Sequence, residues 1–328
     1  MARRPRIRFL YTGGTLGMLR RDPGPLAPSH VAEDVAPYVR GLEEEVDVEG
    51  CLLFNLDSSD LGPAHWETIA RAVAQDREQY DGFVVLHGTD TMAYTACALS
   101  FMLRGLDRPV VLTGAQRPIA YVRTDARTNL IHSALCAAMP IPEVCIFFGR
   151  SLFRGNHVSK MSIQSYEAME SPNLRPLLVM GVEIERLVSP RSPVGSFELV
   201  PGFEERVVAL QVVPGSGPAM LDAAVGAGMR GVVLRGFGAG NLPQAGWPAG
   251  IRRAIDAGVA VVVQSQCPWG AVDLGAYEGG RAALDAGALG GGAMTGEAAL
   301  VKLMYLLGQG LSGEGLRAGW ARDLAGEQ

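Results

Sequence analysis

Twice in this chain a short apolar run passes directly into a polar turn that contains glycine and threonine. Residues 83–86 (FVVL) lead into the HGTD motif at 87–90, and residues 7–11 lead into the TGGT motif at 12–15. After the HGTD motif the chain continues as an Ala- and Leu-rich helical pattern at 93–103. Apolar runs that alternate with helices are typical of a parallel sheet that is buried on both faces. We therefore predict an α/β fold in which the two polar turns lie at strand ends.

The same alternation extends along most of the chain. Further strand-like runs are residues 51–55, 110–113 and 144–148, and the segment after Pro63 has the apolar spacing of an amphipathic helix. These elements predict a larger N-terminal domain, residues 1–188, in which a mostly parallel sheet is covered by helices on both faces.

A stretch rich in proline, glycine and charged residues, 189–206, is typical of an exposed connector. Beyond it, strand patterns at 207–212, 231–234 and 259–264 alternate with helical ones. We therefore predict a linker at 189–206 and a smaller C-terminal α/β domain at 207–328.

Composition restricts the possible partners and the compartment. Apolar residues make up 48% of the chain and charged residues 19%, so we expect some apolar surface to be buried in an oligomer. The net charge of −5 with mixed signs disfavours nucleic acid and membranes as partners. The 5 cysteines form no C-x-x-C pair, and neither a secretion signal nor an apolar stretch of about 20 residues occurs. These features predict a soluble, cytoplasmic protein.

No metal or cofactor is predicted from the motifs. The 5 histidines show no i, i+4 pair around a glutamate and no cysteine at ligand spacing. The glycine-rich turn after the first strand also lacks the lysine of a phosphate-binding P-loop.

Several side chains that could carry chemistry follow the predicted strands. In a parallel α/β sheet the carboxyl ends of the strands line the ligand crevice, which would bring Thr15, Ser58, Thr89, Asp90 and Ala115 to one rim. Hydroxyls beside a carboxylate at such a rim indicate nucleophilic catalysis. A simpler interpretation stays open at this point, because threonine and aspartate at helix starts commonly act as N-caps.

Lysine is scarce in this chain. Lys160 and Lys302 are its only lysines, and arginine supplies nearly all the other positive charge. Because lysine changes its protonation when desolvated and arginine does not, Lys160 is a candidate for proton transfer with Thr89 and Asp90. A surface lysine without a chemical role is the alternative.

Three motifs together resemble those of the bacterial L-asparaginases of the cytoplasmic type I branch: residues 11–18 (YTGGTLGM), 57–60 (DSSD) and 87–92 (HGTDTM). The resemblance continues through 113–118 (TGAQRP) to the C-terminal helices, so it covers essentially the whole chain. It implies a large N-terminal and a smaller C-terminal α/β domain, with active sites at the interface of a homodimer that often forms a homotetramer. L-Asparagine is the implied substrate, and no cofactor is implied.

The resemblance also implies roles for single residues. Thr15 would be the nucleophile that attacks the side-chain amide carbon, so that an acyl-enzyme forms and ammonia leaves. Thr89, Asp90 and Lys160 would form a catalytic relay.

Substrate contacts follow from the same resemblance. Ser58 would bind the α-carboxylate together with the backbone N–H groups of Ser59 and Gly88. Asp90 would pair with the α-ammonium group, and the Ala115 carbonyl would accept the amide nitrogen.

Type I members can also carry a second asparagine site that regulates activity. The matching positions here are Ser159, Arg235 and Cys267. An arginine whose donors are satisfied by backbone carbonyls is an equally open interpretation of Arg235.

The sequence departs from the family pattern at Pro25, which holds the place of a loop tyrosine that touches the nucleophile. Tyr11, Ser29 or a water near Lys160 are the candidates to replace its hydroxyl. A smaller departure is Ala126, where a glycine often follows the aspartate of the motif.

Pro25 also motivates a second hypothesis, a non-catalytic amino-acid sensor that keeps the asparaginase pocket. A third is the amidase subunit of a tRNA-dependent amidotransferase. That subunit shares the threonine motifs but usually has an extra domain ahead of them, whereas 11 residues precede Thr12 here.

Overall fold

The computed structural model of the chain describes residues 3–20, 26–28 and 41–328. The chain forms two compact units, one that ends at Pro201 and one that begins at Gly202. The predicted linker spans this boundary, and its Glu198–Leu199 segment forms a short strand. The exact linker bounds stay a prediction.

The first unit combines strands with three long helices in its described part. The helices are α1 (Pro63–Asp76), α2 (Met92–Met102) and α3 (Ala126–Ala137). The strands, in chain order, are β1 (Arg6–Gly13), β2 (Met18–Arg20), β3 (Leu26–Pro28), β4 (Asp47–Leu56), β5 (Gly82–Leu86), β6 (Leu103–Arg104), β7 (Val110–Thr113), β8 (Val144–Phe148), β9 (Ser151–Arg154), β10 (Ser159–Lys160), β11 (Met169–Glu170), β12 (Leu178–Met180), β13 (Ile184–Arg186) and β14 (Glu198–Leu199).

Among the described strands, the main sheet has the order β13-β12-β9-β8-β7-β5-β1-β4. The pairs from β4 to β8 are parallel, and β9, β12 and β13 extend the sheet antiparallel. The predicted α/β fold with a mostly parallel sheet is confirmed. Every residue of β5, β7 and β8 is buried, as continuous apolar strands require when both faces are covered.

Two helices follow directly from their sequence patterns. Helix α1 begins with Pro63, which suits the first helical turn, and buries one stripe that includes Trp66, Ile69 and Val73. Helix α2 is buried nearly all round because its residues are apolar on every side. Its Thr95 is also buried and is bonded to His87.

The second unit, residues 202–328, is a smaller α/β layer, as predicted. Its sheet has the order β15-β16-β17-β18, and the strands are all parallel. The strands are β15 (Val207–Gln211), β16 (Gly231–Gly236), β17 (Ala260–Ser265) and β18 (Leu289–Gly290). The helices are α4 (Ala219–Gly226), α5 (Trp247–Asp256), α6 (Glu278–Asp285), α7 (Gly296–Gly308) and α8 (Gly313–Trp320).

Across the described ranges, no helix has both the length and the apolar character that a membrane span requires. The same ranges contain no group of three or more His, Cys, Asp or Glu side chains arranged to hold a metal ion.

Candidate active site

The ends of β1, β4 and β5 meet at contacts that only glycine allows. Gly13 and Gly14 have φ values of 120° and 92°, a region that other residues rarely adopt. A Cβ atom on Gly13 would lie 2.0 Å from the Leu56 carbonyl oxygen, and one on Gly14 would lie 2.4 Å from the Gly88 nitrogen. Since Thr15 and Thr89 directly follow Gly14 and Gly88, this contact draws the two threonine motifs together.

Two more glycines bring the remaining strand ends to the same rim. A Cβ atom on Gly88 would lie 2.6 Å from the Ser58 Oγ atom, and one on Gly114 would lie 2.3 Å from the His87 carbonyl oxygen. The segment before Ala115 therefore packs on the HGTD turn, and Ser58 packs on its other side. The chain segments that carry the predicted rim residues do converge.

The two threonines of the first motif have different surroundings. Thr12 is fully buried, and its Oγ1 donates to the Leu86 carbonyl at 2.9 Å, which joins β1 to β5. Thr15 is only half-buried and begins a 3-10 turn, Thr15–Gly17. The residue at the cap position of that turn is Gly14, so the interpretation of Thr15 as a capping threonine does not apply.

Lys160 joins the two polar residues of the HGTD motif. Its Nζ atom donates to Thr89 Oγ1 at 2.7 Å and to Asp90 Oδ1 at 2.5 Å. Thr89 is buried, whereas 66% of the Asp90 side chain is exposed. The N-cap of α2 is Thr91 rather than Asp90, so the simpler capping interpretation of Asp90 is wrong. The surface-lysine alternative for Lys160 is wrong as well, because only 16% of its side chain is exposed.

Gln116 is a member of this cluster that the sequence did not single out. Its Oε1 accepts from the Thr89 hydroxyl at 3.4 Å. Its Nε2 donates to the carbonyls of Ser162 and Ser165, at 3.3 Å and 3.2 Å. Gln116 thereby links Thr89 to the loop that follows Lys160. The sequence signal that could have identified Gln116 is its position three residues after the buried strand β7.

Ser58 and Ser59 lie in a 3-10 turn that Asp57 caps. The Asp57 Oδ1 atom accepts from the Ser59 backbone N–H at 2.9 Å and from its hydroxyl at 2.8 Å. Both bonds lower the pKa of Asp57, and the bond from the backbone N–H has the larger effect. A bound carboxylate would therefore have to share the Ser59 N–H with Asp57. Thr91 supports the same turn, because its hydroxyl donates to the Ser58 carbonyl at 2.6 Å.

His87 is fully buried beneath the site. Its Nδ1 atom lies 2.6 Å from the Gly88 carbonyl, which can only accept, so this nitrogen donates. The Thr95 hydroxyl, 2.8 Å away, then donates to Nε2. Burial lowers the pKa of His87 to about 4, so the ring is neutral at neutral pH.

Pro25, which holds the place of the family's loop tyrosine, lies outside the described residues, as does Ser29. Tyr11 is described, and its hydroxyl donates to Asn55 Oδ1 at 3.5 Å. The Tyr11 ring packs in the core with Ile7 and Phe9, and burial raises its pKa. A core tyrosine that stays protonated is a poor substitute for a loop hydroxyl.

The residues predicted for a second site belong to different units and are described one unit at a time. Arg235 and Cys267 belong to adjacent strand ends of the second unit, because Gly236 pairs with Ser265 across β16 and β17. The Arg235 Nε atom is buried without a hydrogen-bond partner in the described part of the chain, so the backbone-satisfied interpretation does not account for it. Ser159 lies on β10 of the first unit, and the three-residue site stays a prediction.

Comparison with known proteins identifies the family. Residues 6–190 match the family model for the asparaginase N-terminal domain, and residues 206–318 match that for the glutaminase/asparaginase C-terminal domain. The chain belongs to the asparaginase family.

Individual relatives show the breadth of this family. The chain is 40% identical to L-asparaginase 1 of Escherichia coli, covering 98% of this chain and 97% of that protein. The structure of L-asparaginase I from Vibrio cholerae superposes with a TM-score of 0.92 at 38% identity and 99% coverage of both chains. The chain is also 37% identical to one component of the glutamyl-tRNA(Gln) amidotransferase of Pyrococcus abyssi, covering 98% of this chain and 76% of that protein.

Proposed function

We propose that this protein hydrolyses L-asparagine to L-aspartate and ammonia, with Thr15 as the nucleophile. The observation that carries the proposal is the chain of contacts from Asp90 through Lys160 to Thr89, beside a turn that presents Thr15. An alcohol attacks an amide poorly without such a proton relay. The similarity to L-asparaginase 1 of E. coli over nearly the full chain supports the same substrate class.

The reaction divides into two steps. The Thr15 hydroxyl oxygen attacks the side-chain amide carbon, its proton passes into the relay, and the carbon–nitrogen bond breaks as the nitrogen takes up a proton and leaves as ammonia. Water then attacks the acyl ester, Thr15 regains its proton, and aspartate leaves. Thr89, Lys160 and Asp90 shuttle the proton in both steps. No cofactor takes part in either.

The same rim offers a group for each end of the amino acid. Ser58 is the candidate for the α-carboxylate, with the N–H groups of Ser59 and Gly88. The exposed carboxylate of Asp90 suits an α-ammonium group. The Ala115 carbonyl suits the amide nitrogen, because a carbonyl accepts the N–H bonds that distinguish an amide from a carboxylate.

The proposal extends to assembly, regulation and compartment. We propose a homodimer or a dimer of dimers, an allosteric asparagine site that includes Arg235 and Cys267, and a cytoplasmic location. The low charged fraction of 19% and the absence of paired C-x-x-C cysteines support the first and the last of these.

Ammonia release from L-asparagine, L-glutamine and D-asparagine tests the proposed activity. Thr15→Ala should abolish release. Thr12→Val is the matched control, a threonine of the same motif that bonds only within the core, and it should retain activity. Both variants are compared after circular dichroism has confirmed that they fold.

The position of Pro25 suggests a second part of this experiment, which compares the native chain with a Pro25→Tyr variant. A native chain that binds asparagine in a calorimeter without releasing ammonia, and that gains turnover on Pro25→Tyr substitution, would be an amino-acid sensor. A native chain that neither binds nor hydrolyses any of the three amino acids rejects both functions.

A further inference from the structure

The loop that carries Ala115 is held by hydrogen bonds to the buried carboxylate of Asp125, just before helix α3. Asp125 Oδ2 accepts from the Gln116 backbone N–H at 2.8 Å, and Oδ1 accepts from the Arg117 N–H at 3.1 Å. Asp125 immediately precedes α3, yet its side chain makes no capping bond to that helix. Only 7% of the residue is exposed. The carboxylate therefore holds the loop through both of its oxygens instead of capping the first turn of its own helix.

Asn129, one turn further along α3, holds the same loop from its other end. Its Nδ2 donates to the Gly114 carbonyl at 2.9 Å and to Asp125 Oδ2 at 3.3 Å. Its Oδ1 accepts from the Gly149 N–H at 3.0 Å. Both peptide groups that flank Ala115 are thus tied to α3, although no side-chain contact of Ala115 itself is involved.

This arrangement fixes the direction of the Ala115 carbonyl. A trans peptide group is planar, so its N–H and C=O bonds point in opposite directions. The Gln116 N–H points at Asp125, and the Ala115 C=O must therefore point away from α3. The same loop packs on the HGTD turn, where Gly114 abuts the His87 carbonyl and Gln116 meets Thr89, so the Ala115 carbonyl lies close to the proposed catalytic residues.

We propose that Asp125 is a positioning residue that aims the Ala115 carbonyl at the leaving nitrogen, and that it thereby makes the enzyme selective for amides over esters. This inference rests on the proposed amidohydrolase function. The leaving nitrogen of an amide carries N–H bonds that this carbonyl can accept through bond cleavage. The alkoxy oxygen of an ester carries none, and its lone pairs would face the carbonyl oxygen instead.

The selectivity follows from the charge of Asp125. A carboxylate accepts both loop N–H groups through charge-assisted bonds, which are roughly twice as strong as neutral ones. An asparagine at this position would offer one neutral acceptor and would turn its NH₂ group toward a loop N–H. The carbonyl of Ala115 would then lose its fixed direction, and kcat/KM would fall more for the amide substrate than for the ester.

The test compares kcat/KM for L-asparagine and for the β-methyl ester of L-aspartate, with aspartate release as the readout for both. Asp125→Asn should lower the amide-to-ester ratio about 10-fold, the effect of one hydrogen bond. Asp57→Asn is the matched control, because Asp57 also accepts a backbone N–H but beside Ser58. It should lower both rates together and leave the ratio unchanged. An unchanged ratio in folded Asp125→Asn overturns the inference.

A milder variant covers the case in which Asp125→Asn does not fold. The Thr124 hydroxyl donates to the Arg117 carbonyl at 2.9 Å and accepts from the Ala126 N–H at 3.0 Å, so Thr124→Val loosens the same loop while the Asp125 carboxylate stays in place. It should lower the ratio about 2- to 3-fold, on the scale of a partly lost hydrogen bond, and no change in the ratio would count against the inference. If the native chain releases no ammonia from asparagine, the proposed function fails instead, and the two failures are distinguishable.

Discussion

The two lysines of this chain are both paired with a carboxylate, but their surroundings differ. Lys160 lies at the rim of the first unit, with 16% of its side chain exposed, and contacts the Thr89 hydroxyl and the exposed Asp90. Lys302 lies on α7 in the second unit. Neither its side chain nor that of Glu327, 2.6 Å away, has any exposed surface.

The acceptors around Lys302 explain why it is structural. Besides Glu327, its ammonium group donates to the Trp320 carbonyl at 2.9 Å and to the Arg322 carbonyl at 2.7 Å. Three donors meet three fixed acceptors, and no hydroxyl is among them. Lys160 instead reaches a hydroxyl that can give up or take a proton. The surroundings of Lys160 therefore suit the proposed proton transfer, whereas those of Lys302 suit a buried structural contact.

Replacement of Lys160 should reduce catalysis more than any other single substitution in this comparison. Lys160→Met should lower kcat for ammonia release from asparagine about 10³-fold, because general acid–base groups contribute on that order. The free energy of unfolding should change by less than about 1 kcal/mol, since the pair with Asp90 is partly exposed.

The comparison with Lys160→Arg separates charge from proton transfer. Arginine keeps the positive charge but does not release a proton near neutral pH, so this variant should be nearly as inactive as the methionine one. An arginine variant with native kcat would show that Lys160 supplies only charge.

Lys302→Met should show the opposite pattern. It strands the Glu327 carboxylate in the interior, which costs about 3–5 kcal/mol of unfolding free energy. The kcat per folded molecule should stay native. Three of the four tryptophans, Trp247, Trp269 and Trp320, belong to the second unit, so fluorescence during urea unfolding reports mainly on this region. A stable but inactive variant would contradict the structural role.

His87 is a buried titratable residue of the first unit, and no salt bridge to it is present among the described residues. Its pKa is lowered to about 4 in the folded chain, against 6.5 ordinarily. Between these values the unfolded chain binds a proton that the folded chain does not, so stability falls as the pH drops from 6.5 to 4. The loss should approach about 3 kcal/mol, at 1.36 kcal/mol per pKa unit.

His87→Asn removes this titration while keeping a polar side chain of similar reach. Urea midpoints measured from pH 7 to pH 4 should therefore fall less steeply for the variant than for the native chain. Parallel curves would mean that His87 is not the group responsible.

The fold could be predicted where strands are buried on both faces. β5, β7 and β8 are uninterrupted apolar runs bounded by turns, and their predicted positions agree with the structure to within a residue. The antiparallel strands β12 and β13 were not predicted. They have three residues each, too few for a periodic pattern, and their pairing depends on neighbours distant in sequence.

The candidate site was predictable to the extent that it depends on strand ends. Thr89, Asp90 and Lys160 were proposed together from residue type and family motif, and they are in contact. Asp125 and Gln116 were not assigned roles, because their contacts run through backbone N–H and carbonyl groups that a sequence pattern does not show.

Replacing both members of each pair should change stability less than replacing Lys302 alone and should separate the two lysines most clearly. Lys302→Met with Glu327→Leu removes the stranded charge, so the loss should shrink to about 1–3 kcal/mol, set by backbone groups left without partners. Those groups include the Leu324 N–H, which donates to both carboxylate oxygens of Glu327 at 3.1 Å. Lys160→Met with Asp90→Leu should recover no activity, because a relay cannot be replaced by packing. Recovery of turnover in that double variant would mean that the pair at the rim, like the one in the second unit, only fills and neutralises its site.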